Sequence, residues 1–161
     1  VGEWVLRTAC RQAAAFAALP DNRKAHLREL TAIHSARGAY APDGTYGIRD
    51  KDRSMDIRPS ETARATHLHP LVTRHPETDE ETLFSCAGYI VGIEGMADQE
   101  AHALLVDLLQ WQAQDRFIYR HRWEPDMLIL WDNRCVLHRA TGGYEGHRRE
   151  LHRTTIAAWH G

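Results

Sequence analysis

The residues best suited to chemistry lie in one stretch near the carboxyl end, WDNRCVLHRATGGYEGHRRELHRTT, residues 131–155. His138 lies in an apolar run, two consecutive glycines follow, and Arg149 and Arg153 lie in what we predict to be the returning strand. Because residues an even number of positions apart share one face of a strand, both guanidinium groups are expected on the same side. Such a hairpin would place an imidazole and two guanidinium groups around one cavity, which suits a metal ion with an acidic cosubstrate.

Each of these residues also has an ordinary structural explanation. A lone histidine on an apolar strand is more often a core residue than a metal ligand. Two arginines on one strand face are costly to bury unless anions meet them, and a planar guanidinium matches a carboxylate with two parallel hydrogen bonds. Arg149 and Arg153 could instead pair with acidic side chains of the chain itself or point to solvent. The residues alone leave these alternatives open.

A ferrous centre of the dioxygenase kind needs two histidines and one carboxylate on one face of the ion. Two of these ligands usually come as His-x-Asp or His-x-Glu, and the only such string here is His75-Pro76-Glu77. Its composition is better explained as the entry to a hairpin turn. His67 and His69 are also two positions apart, and we interpret them as a surface pair. The metal site predicted from the residues alone is therefore incomplete.

Length and composition predict one soluble globular domain. The chain has 161 residues, of which 43% are hydrophobic and 26% charged, and its formal net charge of −2 argues against nucleic acid or an anionic membrane as a partner. No apolar run reaches the length of a membrane span. Three cysteines, an odd number without metal-type spacing, favour a reduced cytoplasmic setting over a disulfide framework.

The order of the elements predicts a fold that is mainly β with flanking helices. Helices are predicted at residues 8–19, at 22–33 after an Asp21 cap, and at 98–112. Strands are predicted at 71–72 and 83–86 around a turn at 77–81, and at 117–123, 127–131, 135–140 and 150–159. The run at 127–131 is apolar throughout, as expected of a strand buried on both faces, and the polar residues 35–66 form either a substrate loop or a surface insertion. This pattern is typical of a sandwich or jelly roll.

Several segments resemble one known family. WDNRCVLHRAT followed by RRELHRTTI resembles the carboxyl-terminal signature of the taurine/2,4-D (TauD/TfdA) dioxygenases, and HPLVTRHPETDEETLF, VGIEGM and FIYRHRWEPDMLILWDN resemble successive segments of that family. The similarity runs from about residue 65 to residue 156. It implies a distorted double-stranded β-helix, a jelly roll of the clavaminate synthase kind. It also implies that residues 1–161 form one catalytic domain whose N-terminal part is missing.

The resemblance also implies an activity and the residues that carry it. Members of the family use Fe(II), 2-oxoglutarate and molecular oxygen to hydroxylate a small anionic organic substrate. The distal iron-binding histidine, a catalytic residue, falls on His138, and the arginine that holds the far carboxylate of 2-oxoglutarate falls on Arg149. Arg153 lies where family members engage an anionic group of the substrate. Thr155 and Asp132-Asn133 are similar to scaffold positions of the same motif.

Two departures from the family pattern qualify this hypothesis. The family's His-x-Asp ligands belong upstream of this chain's first segment, and the chain contains no such pair. The family threonine that helps to bind 2-oxoglutarate should follow Gly2, where Trp4 stands, with Thr8 nearby. We therefore expect a C-terminal portion of an enzyme that is inactive when it is alone.

Two rival hypotheses remain from the sequence. One is a non-catalytic jelly-roll module for binding or interaction. The other is a cupin-like metal protein that uses His67, His69 and His138. A truncated jelly roll leaves strand edges unpaired, so we also expect a homo-oligomer or poor solubility when this portion is produced alone.

Overall fold

The computed structural model describes residues 7–48, 57–124, 126–140, 150 and 152–156. Its strands are β1 Arg7–Arg11, β2 Thr31–Ser35, β3 Thr66–Pro70, β4 Val72–Arg74, β5 Glu81–Leu83, β6 Ile90–Ile93, β7 Ile118–His121 and β8 Val136–Ala140. Its α-helices are α1 Gln12–Ala17, α2 Asp21–Arg28, α3 Arg37–Tyr40, α4 Thr45–Ile48 and α5 Asp98–Gln112, with single 3-10 turns at Glu61–Arg64 and Asp115–Phe117. Within these ranges, every helix is too short or too polar to cross a lipid bilayer.

The described strands form three small antiparallel sheets. β1 lies between β7 and β8, β2 lies between β3 and β6, and β4 pairs with β5. In the first sheet the central strand, β1, comes from near the amino end, and the two outer strands follow it by more than a hundred residues in sequence. This pairing is what ties the segment of His138 to the rest of the described fold.

The main hydrophobic core lies between α1, α2, α5 and the second and third sheets. Its largest fully buried apolar side chains are Phe16, Leu27, Leu71, Leu83 and Leu108. A smaller cluster lies under the first sheet and contains Cys10, Ala15 and Phe117, with Trp111 packed against both clusters. The Trp111 indole N–H donates to the Ala15 carbonyl oxygen at 2.8 Å, so α5 and α1 are joined by a hydrogen bond as well as by packing.

The predicted helix at residues 8–19 is wrong in its first part. Arg7–Arg11 is a strand and the helix begins at Gln12. An Ala-rich segment favours a helix locally, but here the backbone groups of these residues are taken up by two neighbouring strands, with Ala9 opposite Tyr119 on one side and His138 on the other. Tertiary pairing has overridden local propensity.

The predicted helix at 22–33 ends too late for a similar reason. α2 covers Asp21–Arg28, and Pro20 takes the N-cap position that we predicted for Asp21. Ala32 and Ile33 belong to β2, where Ala32 is fully buried between β3 and β6. The apolar positions that suggested a longer helical face therefore serve a central strand.

Two predicted strands near the carboxyl end are absent from the described residues. The structure assigns no strand within 126–131, and Leu128 and Leu130 are 83% and 76% exposed instead of being buried on both faces. Nor is a strand assigned at residue 150 or at 152–156, where Ile156 is 78% exposed. An apolar run becomes a buried strand only where neighbouring strands pair with it, and the described residues offer none here.

Other predictions are confirmed. β4 and β5 form a hairpin as predicted, but its strands, Val72–Arg74 and Glu81–Leu83, lie nearer the turn than the predicted strands at 71–72 and 83–86. α5 has the predicted bounds, and strands are present at β7 and β8 within the predicted ranges 117–123 and 135–140. The described parts of residues 35–66 contain α3, α4 and a 3-10 turn, so this segment is more ordered than a plain loop. The predicted turn at Gly142 and Gly143 lies outside the described residues.

Gly47 explains how α3 and α4 fold back on each other. A Cβ atom at this position would lie 2.0 Å from the Pro42 carbonyl oxygen, a distance that no side chain can tolerate. Glycine is therefore required for this close backbone approach. The same fold-back holds Tyr46, the neighbouring residue on α4, beside Tyr40, with ring centroids 5.1 Å apart.

Adjacent leucines on α5 provide a test of where the core lies. Leu108 is fully buried, whereas Leu109 is 45% exposed. We predict that Leu108→Ala lowers the free energy of unfolding by about 3 kcal/mol, because the lost side chain leaves a cavity, whereas Leu109→Ala costs less than about 1 kcal/mol. Urea unfolding followed by circular dichroism measures both. Equal losses in the two variants would contradict this core.

Candidate active site

Strand β8 places His138. β8 is hydrogen-bonded to β1, with Ala9 opposite His138 and Cys10 opposite Leu137. The pairing continues at its end, because the Gln12 backbone N–H donates to the Cys135 carbonyl oxygen at 3.0 Å. The His138 side chain is exposed, whereas a core residue would be buried.

Two clefts meet at His138. One, of about 880 Å³, is lined mainly by residues 129–134 and 153–156, and we call it the Trp131 cleft. The other, of about 570 Å³, is lined mainly by aromatic and apolar side chains, and we call it the aromatic cleft. Asn133, His138 and Arg153 line both. An imidazole and a guanidinium thus lie at the junction of two concave surfaces, the arrangement in which ligands usually bind.

In the Trp131 cleft, the indole of Trp131 lies beside the candidate ligand. Its ring centroid is 5.0 Å from that of His138, at an interplanar angle of 58°. The Trp131 indole N–H donates to the Asn133 side-chain oxygen at 2.9 Å. These contacts restrict the orientation of the indole next to the imidazole.

The aromatic cleft has walls from three separate parts of the chain. Tyr46 comes from α4, Phe84 and Tyr89 come from either side of the link between β5 and β6, and Leu137 comes from β8. Burial raises the pKa of Tyr89 to about 12, and its side-chain hydrogen bond with Tyr40 adds to the effect. Tyr89 therefore contributes a neutral phenol, and the wall presents little charge except at Arg153.

His34 lies at the base of an aromatic cluster in the same cleft. Its ring stacks on Phe84, with centroids 5.2 Å apart, and meets His69 edge-on at 5.0 Å. Partial burial, followed by the charge of His69, lowers the pKa of His34. His34 is thus a neutral, largely apolar surface at neutral pH.

A buried hydrogen bond connects the β4–β5 hairpin to the segment before β8. His75, only 9% exposed, lies with its Nε2 atom 3.0 Å from the Asp132 carboxylate. Its Nδ1 atom accepts from the backbone N–H groups of Glu77 and Thr78 at 3.4 and 3.3 Å. Because Nδ1 accepts, we assign the proton of a neutral ring to Nε2, from which it is donated to Asp132.

Arg134 completes the bonding of Asp132. Its backbone N–H donates to the carboxylate at 2.8 Å, and its guanidinium also donates to it and to Glu77. The Arg134 guanidinium, assisted by its backbone N–H and by His75, holds the pKa of Asp132 well below its usual range despite partial burial. Asp132 is therefore an ionised carboxylate with fixed partners on both sides.

His75, Asp132 and Cys135 are the one group in the described ranges whose metal-type donor atoms lie within 4.8 Å of one another. Asp132 is already neutralised by Arg134, and burial raises the pKa of the Cys135 thiol, which disfavours the thiolate that a metal needs. A guanidinium in contact with the carboxylate would also repel a cation. We interpret the group as a structural network.

The predicted site residues can now be placed. His138 and Arg153 line the same two clefts, with Asp132 and Thr155 in the Trp131 cleft. Arg149 lies outside the described residues, so its predicted position beside His138 remains a prediction.

The cupin-like hypothesis is wrong for the three histidines that it named. His67 and His69 are exposed on β3, as predicted for a surface pair, and they form no three-ligand group with His138. His75 is a different case. The hairpin-turn interpretation of its string is confirmed, but the histidine itself is buried and bonded to Asp132.

Sequence reasoning missed most of the aromatic cleft. Gln12, His34 and Phe84 were not singled out, although all three line it. Gln12 was assigned to the interior of a helix, where a glutamine is unremarkable. His34 offered one usable signal, because a histidine that directly follows the apolar residues Ala32 and Ile33 needs an explanation. No local pattern shows that these positions converge.

Comparisons with known proteins agree with this geometry. The family model for the taurine catabolism dioxygenase TauD, TfdA family matches residues 9–155. The chain belongs to the TauD/TfdA family. It is 37% identical over 146 residues to the alpha-ketoglutarate-dependent 2,4-dichlorophenoxyacetate dioxygenase of Cupriavidus pinatubonensis, covering 91% of this chain and 48% of that protein. It is 34% identical over 137 residues to the (S)-phenoxypropionate/alpha-ketoglutarate-dioxygenase of Sphingobium herbicidovorans, covering 80% and 44%.

Solved structures place this TauD/TfdA chain in the same fold. A taurine dioxygenase from Burkholderia xenovorans superposes with a TM-score of 0.67 at 25% identity, over 87% of this chain and 41% of that one. The crystal structure of AAD-2 in complex with Mn(II) and N-oxalylglycine gives a TM-score of 0.67 at 26% identity, over 89% and 50%.

The TauD/TfdA chain spans about half the length of the curated relatives that it matches. This bears on the iron site, because the described residues hold no three-ligand group that includes His138. The donor chemistry of His138 fits one position of a ferrous centre. A complete centre at His138 would need two further ligands from outside the described residues.

The network around Asp132 makes a testable contribution to stability. We predict that Asp132→Asn lowers the free energy of unfolding at pH 7 by about 2 kcal/mol, because the buried His75 and the Arg134 guanidinium lose their anionic acceptor. The folded-state pKa of Asp132 is depressed, so its contribution is present in full above the ordinary aspartate pKa, begins to decline as the pH falls below about 4, and is lost completely only below the folded-state pKa. Urea unfolding at pH 7 and pH 3 measures the difference.

Asp115→Asn is the matched control for this prediction. Asp115 pairs with Arg120 on the surface, where its side chain is 83% exposed, and its loss should not change stability measurably. We expect the difference in the free energy of unfolding between Asp132→Asn and the unmodified protein to be smaller at pH 3 than at pH 7. An equal difference at the two pH values would contradict the role of the ionised carboxylate.

Proposed function

We propose that this chain is the C-terminal portion of an Fe(II)- and 2-oxoglutarate-dependent dioxygenase that hydroxylates a small anionic organic substrate. The observation that carries the proposal is the presence of His138 and Arg153 together at the junction of two clefts. The named relatives support it, since both are described as alpha-ketoglutarate-dependent dioxygenases. Molecular oxygen is the second cosubstrate of such a reaction.

The proposed roles follow from the chemistry of each side chain. His138 would hold the metal through a neutral imidazole, Arg149 would hold the far carboxylate of 2-oxoglutarate, and Arg153 would hold the anionic group of the substrate. Bound Fe(II) with 2-oxoglutarate supplies the oxidative decarboxylation that drives hydroxylation. The chain's own contribution is to bind and orient the two acids and to shield one side of the site with Trp131.

The aromatic cleft is the proposed substrate pocket. Its walls of Phe84, Tyr89 and Leu137 suit an apolar body, and Arg153 supplies the single formal charge among the residues named here. Phenoxy acids, which appear in the names of two relatives, have this combination of a ring and a carboxylate. We propose an aromatic acid as the substrate class.

We further propose that the described sheets are parts of a distorted double-stranded β-helix, a jelly roll. The superpositions on taurine dioxygenase and AAD-2 support this, as does the antiparallel order of the strands. In this proposal residues 1–161 lie in one catalytic domain, and the remaining half of the relatives' length supplies the other iron ligands. The free thiols of Cys10, Cys86 and Cys135 agree with a reduced, cytoplasmic setting.

A non-catalytic binding module is the second candidate. The observation in its favour is that the described residues hold no three-ligand group that includes His138. It predicts binding of an anionic ligand through Arg153 with no consumption of 2-oxoglutarate. Iron binding by the complete polypeptide distinguishes the two candidates.

The test uses the complete polypeptide. We predict that His138→Ala abolishes Fe(II)-dependent consumption of 2-oxoglutarate, whereas His102→Ala, at an exposed position of α5, leaves it unchanged. Arg149→Ala is predicted to raise the KM for 2-oxoglutarate roughly tenfold to a hundredfold, and Arg153→Ala to raise the KM for the acidic substrate by a similar factor. Succinate formation measured against each substrate gives these constants.

Arg139→Ala is the control for both arginine variants, because Arg139 lies next to His138 on β8 but lines neither cleft. Unchanged affinity for 2-oxoglutarate after Arg149→Ala would remove the cosubstrate assignment. Full activity after His138→Ala would remove the iron assignment. Absence of iron binding and turnover in the unmodified complete polypeptide would favour the binding module.

A further inference from the structure

We propose that Gln12 is a second polar anchor in the aromatic cleft, which selects aromatic acids that carry a hydrogen-bonding substituent, such as a hydroxyl group, on the ring. This inference rests on the proposed function, because it assumes that the aromatic cleft receives the substrate whose acid group Arg153 holds. The inference adds a residue that determines specificity. This residue lies near the amino end, whereas His138, Arg149 and Arg153 lie near the carboxyl end.

The position of Gln12 is fixed by the backbone. It is the first residue of α1 and directly follows β1. Its backbone N–H donates to the Cys135 carbonyl oxygen at 3.0 Å, so the residue is tied to the start of β8. Arg11, the residue before it, is paired with Val136. Gln12 therefore lies on the same framework that places His138.

The side chain of Gln12 is buried but makes no hydrogen bond in the described part of the chain. It is 2% exposed and lines the aromatic cleft. Gln112 is equally buried, and its side-chain N–H group donates to the Ser85 hydroxyl at 2.8 Å and to the Leu108 carbonyl oxygen at 3.0 Å, although its Oε1 atom has no partner among the described residues. A buried amide is normally bonded in this way, because an unmade hydrogen bond away from water costs free energy.

The surroundings of Gln12 make its amide selective. Phe84 and Leu137 contribute apolar surface to the same cleft, Arg153 contributes a charge, and Ser85 and Asn133 contribute further polar groups. A few polar groups among apolar walls fix the orientation of a ligand in a pocket. The amide has both a donor and an acceptor, so it matches a hydroxyl group, whereas the charged guanidinium of Arg153 is the stronger partner for a carboxylate.

The volume of the aromatic cleft supports a ligand that contains an aromatic ring and is bound at two polar positions. The aromatic cleft has a volume of about 570 Å³, which is within the range of small-molecule sites. An aromatic acid held by its carboxylate at Arg153 would place its ring against the aromatic wall. A ring substituent that reaches Gln12 would supply the missing hydrogen bond. An unsubstituted ring would leave the amide buried and unbonded, which lowers affinity.

The experiment compares phenoxyacetic acid with its three monohydroxy isomers. Calorimetry measures the Kd of each acid for the complete polypeptide with metal and 2-oxoglutarate present. We predict that at least one hydroxy isomer binds roughly tenfold to a hundredfold more tightly than the parent acid. In Gln12→Met, which keeps the length of the side chain, that preference is predicted to fall to less than about threefold. Gln12→Leu, which removes both the donor and the acceptor, should reduce the preference in the same way.

Gln99→Leu, at an exposed position in the first turn of α5, is the control and should retain the full preference. Thermal unfolding of each variant verifies that it is folded, and Gln12→Leu serves where Gln12→Met does not fold. An unchanged preference in the folded Gln12 variant overturns the inference, as does equal binding of all four acids or binding of none. The inference is also overturned if the Gln12 variant loses affinity only for 2-oxoglutarate.

The same experiment separates this inference from the proposed function. Succinate formation reports whether the complete polypeptide is a dioxygenase, whereas the ratio of Kd values reports only what Gln12 does. A preference that depends on Gln12 without succinate formation supports the anchor and contradicts the enzyme. Succinate formation with no effect of Gln12 supports the enzyme and contradicts the anchor.

Discussion

The pairing of β8 with β1 is the constraint on which the candidate site depends. It sets Ala9 opposite His138 and joins the Gln12 backbone to Cys135. Side chains alternate along a strand, so a slip of one residue in this register would turn His138 to the other face of the sheet. Two segments more than a hundred residues apart in sequence thus form one wall of the aromatic cleft, and neither could form it alone.

The bond between His75 and Asp132 restrains the same wall from its other end. It holds the segment that leads into β8 against the β4–β5 hairpin, and Arg134 neutralises the carboxylate from the opposite side. A histidine suits this position because one ring nitrogen can donate to a carboxylate while the other accepts from backbone N–H groups. The two clefts therefore have a common border, including Asn133, that is fixed by hydrogen bonds at both ends.

The sequence patterns predicted correctly those elements that are determined by neighbouring residues in the chain. The apolar spacing of α5 and the turn composition between β4 and β5 were sufficient for the helix and the hairpin. Residues 8–11 were predicted as a helix because the segment 8–19 as a whole is rich in alanine, and pairing with distant strands overrode that preference. His138 and Arg153 were singled out by their residue types and spacing, and their expected roles came from a resemblance to a family signature. Gln12 and His34 could not be found in this way, because their part in the cleft arises only when α1, β2 and β8 meet.

A crystal structure of the complete polypeptide with Mn(II) and N-oxalylglycine would test most directly whether His138 and Arg149 converge on one pocket. We predict that the His138 imidazole is bound to the metal and that the Arg149 guanidinium contacts the far carboxylate of N-oxalylglycine, with Arg153 in the same pocket. A metal ion bound away from His138, or an Arg149 side chain on the opposite face of the sheet from His138, would contradict it.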